Sequence, residues 1–251
     1  MPTMTRRWVP PRKPSVHAEQ ALLGAILDGT HPPGSTLPGE RDLAKRIGVT
    51  RPTLRETLRR LERDGWLTVR HGKPTRVNDF WREGGLNVLS ALVRHPEHLP
   101  AEFVLRLLEV RLVMAPAYAR AAVERDPRSL VAHLARRTAL DDHPDMYPDY
   151  DWNLHHILTI ASGNPVYTLI LNGFAGFYQE MARAYFAIPA SRASSRQFYR
   201  RLLDAARRAD GAEAERVTRT VMRHSIDLWK AASRSSPPAR SKRGATLGGA
   251  Q

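Results

Sequence analysis

The chain has 251 residues, enough for two modest domains, and 39 lysines and arginines against 25 aspartates and glutamates give it a net charge of +14. Because it contains no cysteine, the sequence excludes a disulfide framework and a zinc site built on thiolates. No apolar run approaches the length of a membrane span and residues 1–9 lack the apolar core of a signal peptide, so we expect a cytoplasmic protein without a membrane partner.

The positive charge is denser towards the N-terminus. The first 80 residues carry 15 basic and 8 acidic side chains, an excess equal to that of the remaining 171 residues. An excess of cations favours polyanions, chiefly nucleic acid, through the release of counterions. Acidic metabolites such as coenzyme A thioesters remain an alternative for the C-terminal part.

The N-terminal segment, residues 1–14, carries four basic side chains and four prolines, which predicts a disordered basic arm. Residues 18–28 then place apolar side chains at helical spacing and end before Gly29, a pattern that predicts a core helix. We take this helix as the beginning of a small domain that covers residues 15–79.

Two short helices around a tight turn are predicted next. Leu43 and Ile47 lie four residues apart on one face of the first helix, and Gly48 follows at a helix end that favours a residue tolerant of positive φ. Thr50 is a good N-cap for the second helix, and Pro52 falls in its first turn, where a missing N–H group does no harm.

The second helix, residues 51–64, has two different sides. A buried stripe is predicted at Leu54, Leu58 and Leu61, and arginines repeat every four residues about a quarter-turn away. This arrangement is typical of a recognition helix, whose apolar side packs on a core while its N-terminal end meets base edges in the major groove. Arginine can bind guanine through two hydrogen bonds, and threonine can contact a phosphate or the methyl group of thymine.

A β-hairpin is predicted after this helix. Residues 66–70 and 75–77 are β-prone runs on either side of a loop that contains glycine and proline. With His71 and Lys73 at its tip, such a wing can contact the DNA backbone or the minor groove. The alternative is a small helical domain whose basic face is only solvated, as most charge runs are.

Beyond residue 79 the pattern changes. Residues 80–85 are typical of a linker anchored by two aromatic side chains, residues 86–233 are helical by period, and residues 234–251 have the composition of a disordered tail. The fold class is therefore mainly α: an N-terminal winged helix-turn-helix with a small β-hairpin wing, followed by an all-α effector-binding helical bundle. The predicted helices of the bundle cover residues 86–93, 101–124, 129–140, 149–161, 166–187, 193–209 and 212–232.

Several short blocks of the sequence resemble a known family. Leu37-Pro-x-Glu-Arg-x-Leu-Ala, Gly48-Val-Thr-Arg, Thr53-Leu-Arg-Glu and Asp64-Gly-Trp-Leu are similar to the N-terminal domain of the GntR superfamily of bacterial transcription regulators. His71-Gly-Lys-Pro-Thr, Ala161-Ser-Gly-Asn-Pro-x-Tyr167 and Tyr185-Phe-Ala-x-Pro189 resemble the FadR regulators of fatty-acid metabolism in particular. The likeness covers about residues 18–234.

The resemblance implies a set of DNA contacts and a homodimer. Pro52 departs from the family, because FadR proteins often carry a threonine there, and the departure removes one hydroxyl contact. A dimer agrees with physics, since one recognition helix reads only a few base pairs and two can read a palindrome. The implied DNA-contact positions are Arg41, Thr50, Arg51, Thr53, Arg55, His71 and Gly72.

The resemblance also implies the ligand of the bundle. In FadR-like proteins this domain binds long-chain fatty acyl-CoA, and binding releases DNA. Tyr185 and Trp229 are equally compatible with plain bundle core, whereas Arg111 within an apolar run requires an anionic partner. Arg111, Arg223 and Lys230 are candidate cations for the CoA phosphates. The implied effector positions are Arg111, Tyr185, Ser225 and Trp229.

A partial metal site is the second feature of the predicted bundle. Many relatives with this kind of domain hold a divalent metal with one aspartate and three histidines, and Asp151, His155 and His224 fall at three of these positions. The spacing of Asp151 and His155 puts them on one helix face, but the remaining position is Tyr199. Three ligands and a water can hold zinc. The alternative, which requires no metal, is that the histidines form hydrogen bonds inside the bundle.

Three functions follow from these patterns and from what the resemblance implies. The first is a transcription regulator of fatty-acid metabolism, a repressor or activator that binds double-stranded DNA as a homodimer on a palindromic operator and that long-chain fatty acyl-CoA releases. The second is a regulator of the same superfamily that senses a small carboxylic acid at a metal. The third is a metal-dependent hydrolase. No Gly-x-Ser-x-Gly elbow or Walker loop supports the third, so we expect no enzyme activity.

Overall fold

The structure, a computed structural model, describes residues 13–70, 72–92, 95, 98–100, 102–136 and 141–235. Within these ranges the chain forms two compact units that divide after Ala91. Several predicted features lie outside the described residues: the basic arm up to residue 12, the wing-tip residue His71, the end of the helix predicted over 129–140, and the tail from residue 236.

Three helices form the core of the first unit. They are α1 (Pro14–Leu27), α2 (Glu40–Ile47) and α3 (Arg51–Arg63). The first begins four residues earlier than its apolar spacing indicates, because a proline is tolerated at the first position of a helix. Both α1 and α2 pack against α3. The predicted stripe on α3 is confirmed, since its three leucines are at most 3% exposed: Leu54, Leu58 and Leu61.

The turn between α2 and α3 has the predicted geometry. Gly48 ends α2 in the left-handed region with φ of +78°, which a residue without Cβ adopts without strain. Thr50 has extended backbone angles, and its hydroxyl accepts a hydrogen bond of 3.4 Å from the backbone N–H of Thr53. Both the C-terminal glycine and the N-cap threonine are therefore confirmed.

The wing is a short antiparallel hairpin. Its strands are β1 (Leu67–Thr68) and β2 (Arg76–Val77), and Leu67 lies opposite Val77. The ring of Phe80 packs on buried Trp66 at 4.9 Å between centroids. The beginning of the predicted linker thus belongs to the core of the first unit. A fourth helix, α4 (Leu86–Leu92), ends at the division between the units.

Helices make up the described part of the second unit. They are α5 (Phe103–Arg125), α6 (Pro127–Ala135), α7 (Tyr147–Ala161), α8 (Pro165–Gly173), α9 (Ala175–Phe186), α10 (Pro189–Arg207) and α11 (Gly211–Ser235). The most extensive packing is between α5 and α11, and α10 packs on α6 and α11. The second unit is thus a helical bundle, as predicted, and α5 continues through Pro116. Among the described helices, none has both the length and the apolar composition to span a bilayer.

One predicted helix is wrong. The apolar period indicated a single helix over residues 166–187, but the chain forms α8 and α9 with a break at Phe174. Phe174 has φ of −98° and ψ of −2°, and the preceding Gly173 has low helix propensity. The side chain of Phe174 lines a cavity of the bundle, so the break serves packing that apolar spacing cannot reveal.

Candidate functional site

The predicted DNA-contact residues of the first unit lie on the two helices of the turn and on the wing. Arg41 and Arg51 are exposed, as is the helix cap Thr50, whose hydroxyl lies 2.9 Å from the hydroxyl of Thr53. Arg55 is also exposed, and its Nε donates a hydrogen bond of 2.6 Å to Glu40 on α2. The remaining described position, Gly72, is exposed on the wing with φ of +70°.

Some arginines of α3 form ion pairs with acidic side chains, and others do not. Arg60 is only 29% exposed and binds Glu19 of α1 at 2.9 Å, so it ties two helices of the core together. Arg51 and Arg59 are exposed, and neither has an acidic partner within the part of the chain that the structure describes. A cationic surface therefore remains free at the exposed side of α3, where a polyanion can reach it.

The second unit contains a cavity that opens to solvent, and the empty space within it and in front of its mouth is about 1110 Å³ in all. Aliphatic, aromatic and methionine side chains from α5, α8, α9, α10 and α11 form most of its wall. Methionine adapts its shape to a ligand more readily than a branched side chain does. The structure brings all four predicted effector positions to this one cavity: Arg111, Tyr185, Ser225 and Trp229.

A polar cluster lies at one side of this cavity, around the carboxylate of Asp151. Arg111 Nη2 donates to Oδ2 of Asp151 at 3.2 Å, and the hydroxyl of Tyr178 donates to the same oxygen. Tyr199 donates to Oδ1 at 2.7 Å. His155 Nε2 lies 3.7 Å from Oδ2, and its Nδ1 shares a hydrogen bond of 2.8 Å with the hydroxyl of Tyr118. Four helices contribute these six side chains.

Burial and neighbouring charges decide the protonation of the cluster. Burial alone would raise the pKa of Asp151, but the neighbouring His155, the Arg111 cation and the two phenol donors outweigh it and hold this pKa below its usual value. Burial lowers the pKa of His155 to about 3 and raises the pKa of Tyr118 to about 12. At neutral pH the cluster thus contains one cation, one anion and neutral histidine and phenol groups, and its net charge is zero.

The anionic partner that Arg111 requires is therefore Asp151. Arg111 is 26% exposed, and its guanidinium pairs with Asp151 at one side of the cavity. The expectation that Arg111 binds CoA phosphates is not supported by this placement. Arg223 and Lys230 are exposed on α11, the helix that also carries four cavity-lining residues.

A hydrogen bond joins two of the predicted effector residues that line the cavity. The hydroxyl of Tyr185 on α9 lies 2.9 Å from the hydroxyl of Ser225 on α11. Ser225 also donates to the carbonyl of Val221 one turn earlier. Trp229, one turn further along α11, is half-buried and lines the cavity. These contacts make α9 and α11 two walls of the same site.

The candidate metal ligands do not come together as a metal centre. Asp151 and His155 are adjacent, but the exposed His224 shares a hydrogen bond of 2.8 Å with Ser194. Among the described residues, no group of three or more His, Asp or Glu side chains is placed to hold a metal. Arg111 supplies a cation beside Asp151, and the hydroxyl of Tyr199 donates a hydrogen bond to the same carboxylate. These residues do not fit a divalent metal.

Two members of the cluster had no signal in the sequence. Tyr118 and Tyr178 lie within ordinary helical patterns, and only the packing of α5 and α9 on α7 brings their hydroxyls to the cluster. Tyr199 stood out as the departure from a histidine position. A buried phenol there is consistent with a cluster built on hydrogen bonds.

Two family models together match residues 14–239 without a gap. Residues 14–77 match the model described as bacterial regulatory proteins of the gntR family. Residues 78–239 match the model described as the FadR C-terminal domain, which is more than half of the chain. The two matches meet at the end of the wing.

Known relatives agree with the family models. A fatty acid metabolism regulator protein of Shewanella amazonensis is 43% identical over 218 residues, which are 86% of this chain and 90% of the relative. A protein of the same name from Cronobacter sakazakii is 40% identical over 226 residues, covering 90% and 95% of the two chains.

A solved structure resembles this fold at low sequence identity. The chain matches Lar, which controls the expression of the Listeria monocytogenes agr system, with a TM-score of 0.57 and 18% identity. The match covers 89% of this chain and 99% of that one, and it shows the fold alone. From the two family models and the close relatives, the chain belongs to the gntR family of bacterial regulatory proteins and carries the C-terminal domain of its FadR members.

Proposed function

We propose that this protein regulates transcription of fatty-acid metabolism genes, and that long-chain fatty acyl-CoA releases it from DNA. Relatives at about 40% identity over most of the chain are named fatty acid metabolism regulators, which supports the first part. We assign DNA binding to residues 15–79 and effector binding to residues 86–233. The DNA target would place the protein in the cytoplasm.

The observation that carries the effector half is an apolar cavity with an electrically neutral polar cluster. A long acyl chain carries no charge, and burial of each CH₂ group stabilises the complex by about 0.8 kcal/mol. A neutral cluster does not repel such a chain, and it offers an ionic ligand no excess charge to pair with. Exposed Arg223 and Lys230 on α11 are candidates for the CoA phosphates, which remain in water.

The DNA half rests on the exposed surface of α2, α3 and the wing. We propose that Arg51, Thr53 and Arg55 contact base edges and that Arg41 and Thr50 contact base edges or phosphates. The wing residues His71 and Gly72 would meet the adjacent backbone or the minor groove. One recognition helix reads only a few base pairs, so we further propose a homodimer on a palindromic operator.

The alternative of a small carboxylic acid at a metal receives less support. A carboxylate ligand would have to displace Asp151 from Arg111, leaving a buried anion without its cation. His224, the third candidate ligand, is exposed and bonded to Ser194. The geometry therefore favours the acyl chain over the small acid.

A DNA-binding titration with two kinds of effector tests the proposal. The wild-type protein is bound to labelled duplexes from upstream of fatty-acid genes, and oleoyl-CoA or a small organic acid is added. We expect oleoyl-CoA to weaken binding and free coenzyme A or the small acid to have no effect. Calorimetric titration of the protein alone separates effector binding from the DNA response. Unchanged DNA affinity with oleoyl-CoA would refute the effector half, and equal affinity for all duplexes would refute the DNA half.

A further inference from the structure

An ion pair joins the two helices of the turn on the surface that we assign to DNA. Glu40 begins α2 and Arg55 lies in the second turn of α3, and Arg55 Nε donates to Glu40 Oε2 at 2.6 Å. Among the ion pairs of the described residues, this is the one that links α2 to α3. The side chains are 34% exposed for Glu40 and 56% exposed for Arg55.

The contact leaves one edge of the guanidinium free. It uses the Nε donor of Arg55, and neither Nη1 nor Nη2 has a hydrogen-bonding partner within the described part of the chain. Those two terminal nitrogens carry the parallel N–H donors that fit the O6 and N7 acceptors of guanine. The ion pair thus restrains the arginine and leaves its base-reading edge available.

The stability of the fold alone does not explain why a glutamate occupies position 40. An ion pair this exposed contributes little to the free energy of unfolding. Glu40 also favours the N-terminus of α2 through the helix dipole, but a carboxylate beside a DNA-facing surface repels phosphates and weakens binding to any sequence. An unfavourable charge in this position is accounted for if it fixes the direction of Arg55.

We propose that Glu40 is a positioning residue that orients Arg55 for base recognition and thereby exchanges general DNA affinity for sequence discrimination. Without Glu40, the long arginine side chain rotates freely and forms a salt bridge with any nearby phosphate. With Glu40, the guanidinium plane is fixed before DNA arrives, and less rotational freedom is lost on binding. The inference rests on the proposed DNA-binding function and adds the residue that sets its specificity.

The test compares Glu40→Gln with the wild-type protein on two duplexes. One is the palindrome that wild-type protein selects from a random pool, and the other is an unrelated duplex of equal length. We expect Glu40→Gln to bind the unrelated duplex about twofold to threefold more tightly and to lose about tenfold in the ratio of the two affinities, the scale of one bidentate base contact. A purely structural role would instead weaken binding to both duplexes together.

Glu56→Gln is the matched control. Glu56 is 68% exposed on α3 and pairs with Arg60, so its substitution removes one negative charge from the same helix pair without touching Arg55. We expect Glu56→Gln to keep the wild-type ratio of affinities for the two duplexes. In an Arg55→Ala background, Glu40→Gln should no longer change the ratio, because the side chain that it orients is absent. Thermal unfolding checks that each variant is folded.

The outcomes separate this inference from the function on which it rests. A wild-type protein that does not discriminate between the duplexes would overturn both. If the wild-type protein prefers the palindrome and Glu40→Gln prefers it by the same ratio, the role of Glu40 is overturned while the DNA-binding function stands. The role of Glu40 is also overturned if Glu40→Gln lowers the ratio of the two affinities by the same factor in the presence and in the absence of the Arg55 side chain.

Discussion

At the scale of single residues, Asp151 is the centre of the polar cluster beside the cavity of the second unit. Its carboxylate accepts hydrogen bonds from Arg111, Tyr178 and Tyr199, and its side chain is 8% exposed. A buried ion pair contributes modestly to net stability, because desolvation offsets the attraction, but the loss of one partner leaves an unpaired buried charge. The cluster is therefore sensitive to the removal of either charge.

Substitution Asp151→Asn should lower the free energy of unfolding by about 3 kcal/mol, because Arg111 then keeps a buried charge without a counter-ion. Urea unfolding monitored by circular dichroism measures the change. The control is Glu124→Gln, which removes an acid from an exposed pair with Arg120 and should cost less than about 1 kcal/mol. The double variant Arg111→Met, Asp151→Asn should recover part of the loss. Equal effects of Asp151→Asn and Glu124→Gln would contradict this account.

The buried imidazole of His155 should make the protein less stable in mild acid. Its pKa is about 3 in the folded chain, whereas an unfolded histidine takes up a proton near pH 6.5. Between these values the unfolded state binds more protons, so the free energy of unfolding falls as the pH falls, by up to about 1.4 kcal/mol per pH unit. The carboxylate of Asp151 contributes only at lower pH, since its pKa is below the usual value.

Unfolding by urea at pH 7 and at pH 5 measures this dependence. We expect a loss of about 2 kcal/mol from His155 in the wild type and a smaller loss in His155→Gln. Burial also lowers the pKa of His133, so part of the pH dependence should remain in the variant. Substitution of the exposed His224 serves as the control and should leave the wild-type dependence. An identical pH dependence in His155→Gln and wild type would rule out the assignment.

At the scale of elements, the turn between α2 and α3 depends on one backbone conformation. Gly48 has φ of +78° and no atom within 4 Å of the position of an added Cβ, so Gly48→Ala introduces strain without a clash. We expect a loss of about 1 kcal/mol in the free energy of unfolding. Gly24→Ala, inside α1 and with equally open space, is the matched control and should be neutral or stabilising. Equal losses in both variants would show that the left-handed conformation is not the cause.

The cavity between the helices should set the length of chain that fits. Ala182 on α9 is 6% exposed and lines the cavity, so Ala182→Leu fills the space of about three CH₂ groups. Calorimetry should show about tenfold weaker binding of oleoyl-CoA and a smaller change for octanoyl-CoA, with DNA affinity unaltered. Val113→Leu, on the exposed side of α5, adds bulk outside the cavity and should change neither. Equal weakening of both thioesters would place the acyl chain elsewhere.

At the scale of the whole molecule, the proposed dimer links protein symmetry to DNA spacing. Two recognition helices that read adjacent half-sites must face the same side of the duplex, one helical turn apart. Insertion of five base pairs between the half-sites rotates one of them by about half a turn and should reduce affinity by at least about 100-fold. Gel shift with the inserted and the original duplex measures this loss, and sedimentation equilibrium determines the number of chains in the complex. Unchanged affinity would contradict binding as a symmetric dimer.

The sequence by itself determined the local architecture of the first unit. The leucine stripe of α3, the cap at Thr50, the turn at Gly48 and the hairpin wing depend on neighbours a few residues away, so their patterns are visible in the order of residues. The helical character of the second unit was equally visible from its period. Resemblance to a family predicted four effector positions, and the structure brings these residues to one cavity.

Only the tertiary structure decided how the chemistry of the second unit is arranged. The break at Phe174, the hydroxyls of Tyr118 and Tyr178 at the buried carboxylate, and the separation of His224 from Asp151 depend on helices far apart in the chain. Helical period determines which face is apolar, but the partner of that face depends on packing between distant elements. For this reason the sequence alone predicted that the cation of Arg111 binds a ligand, whereas in the structure its guanidinium forms an ion pair with Asp151.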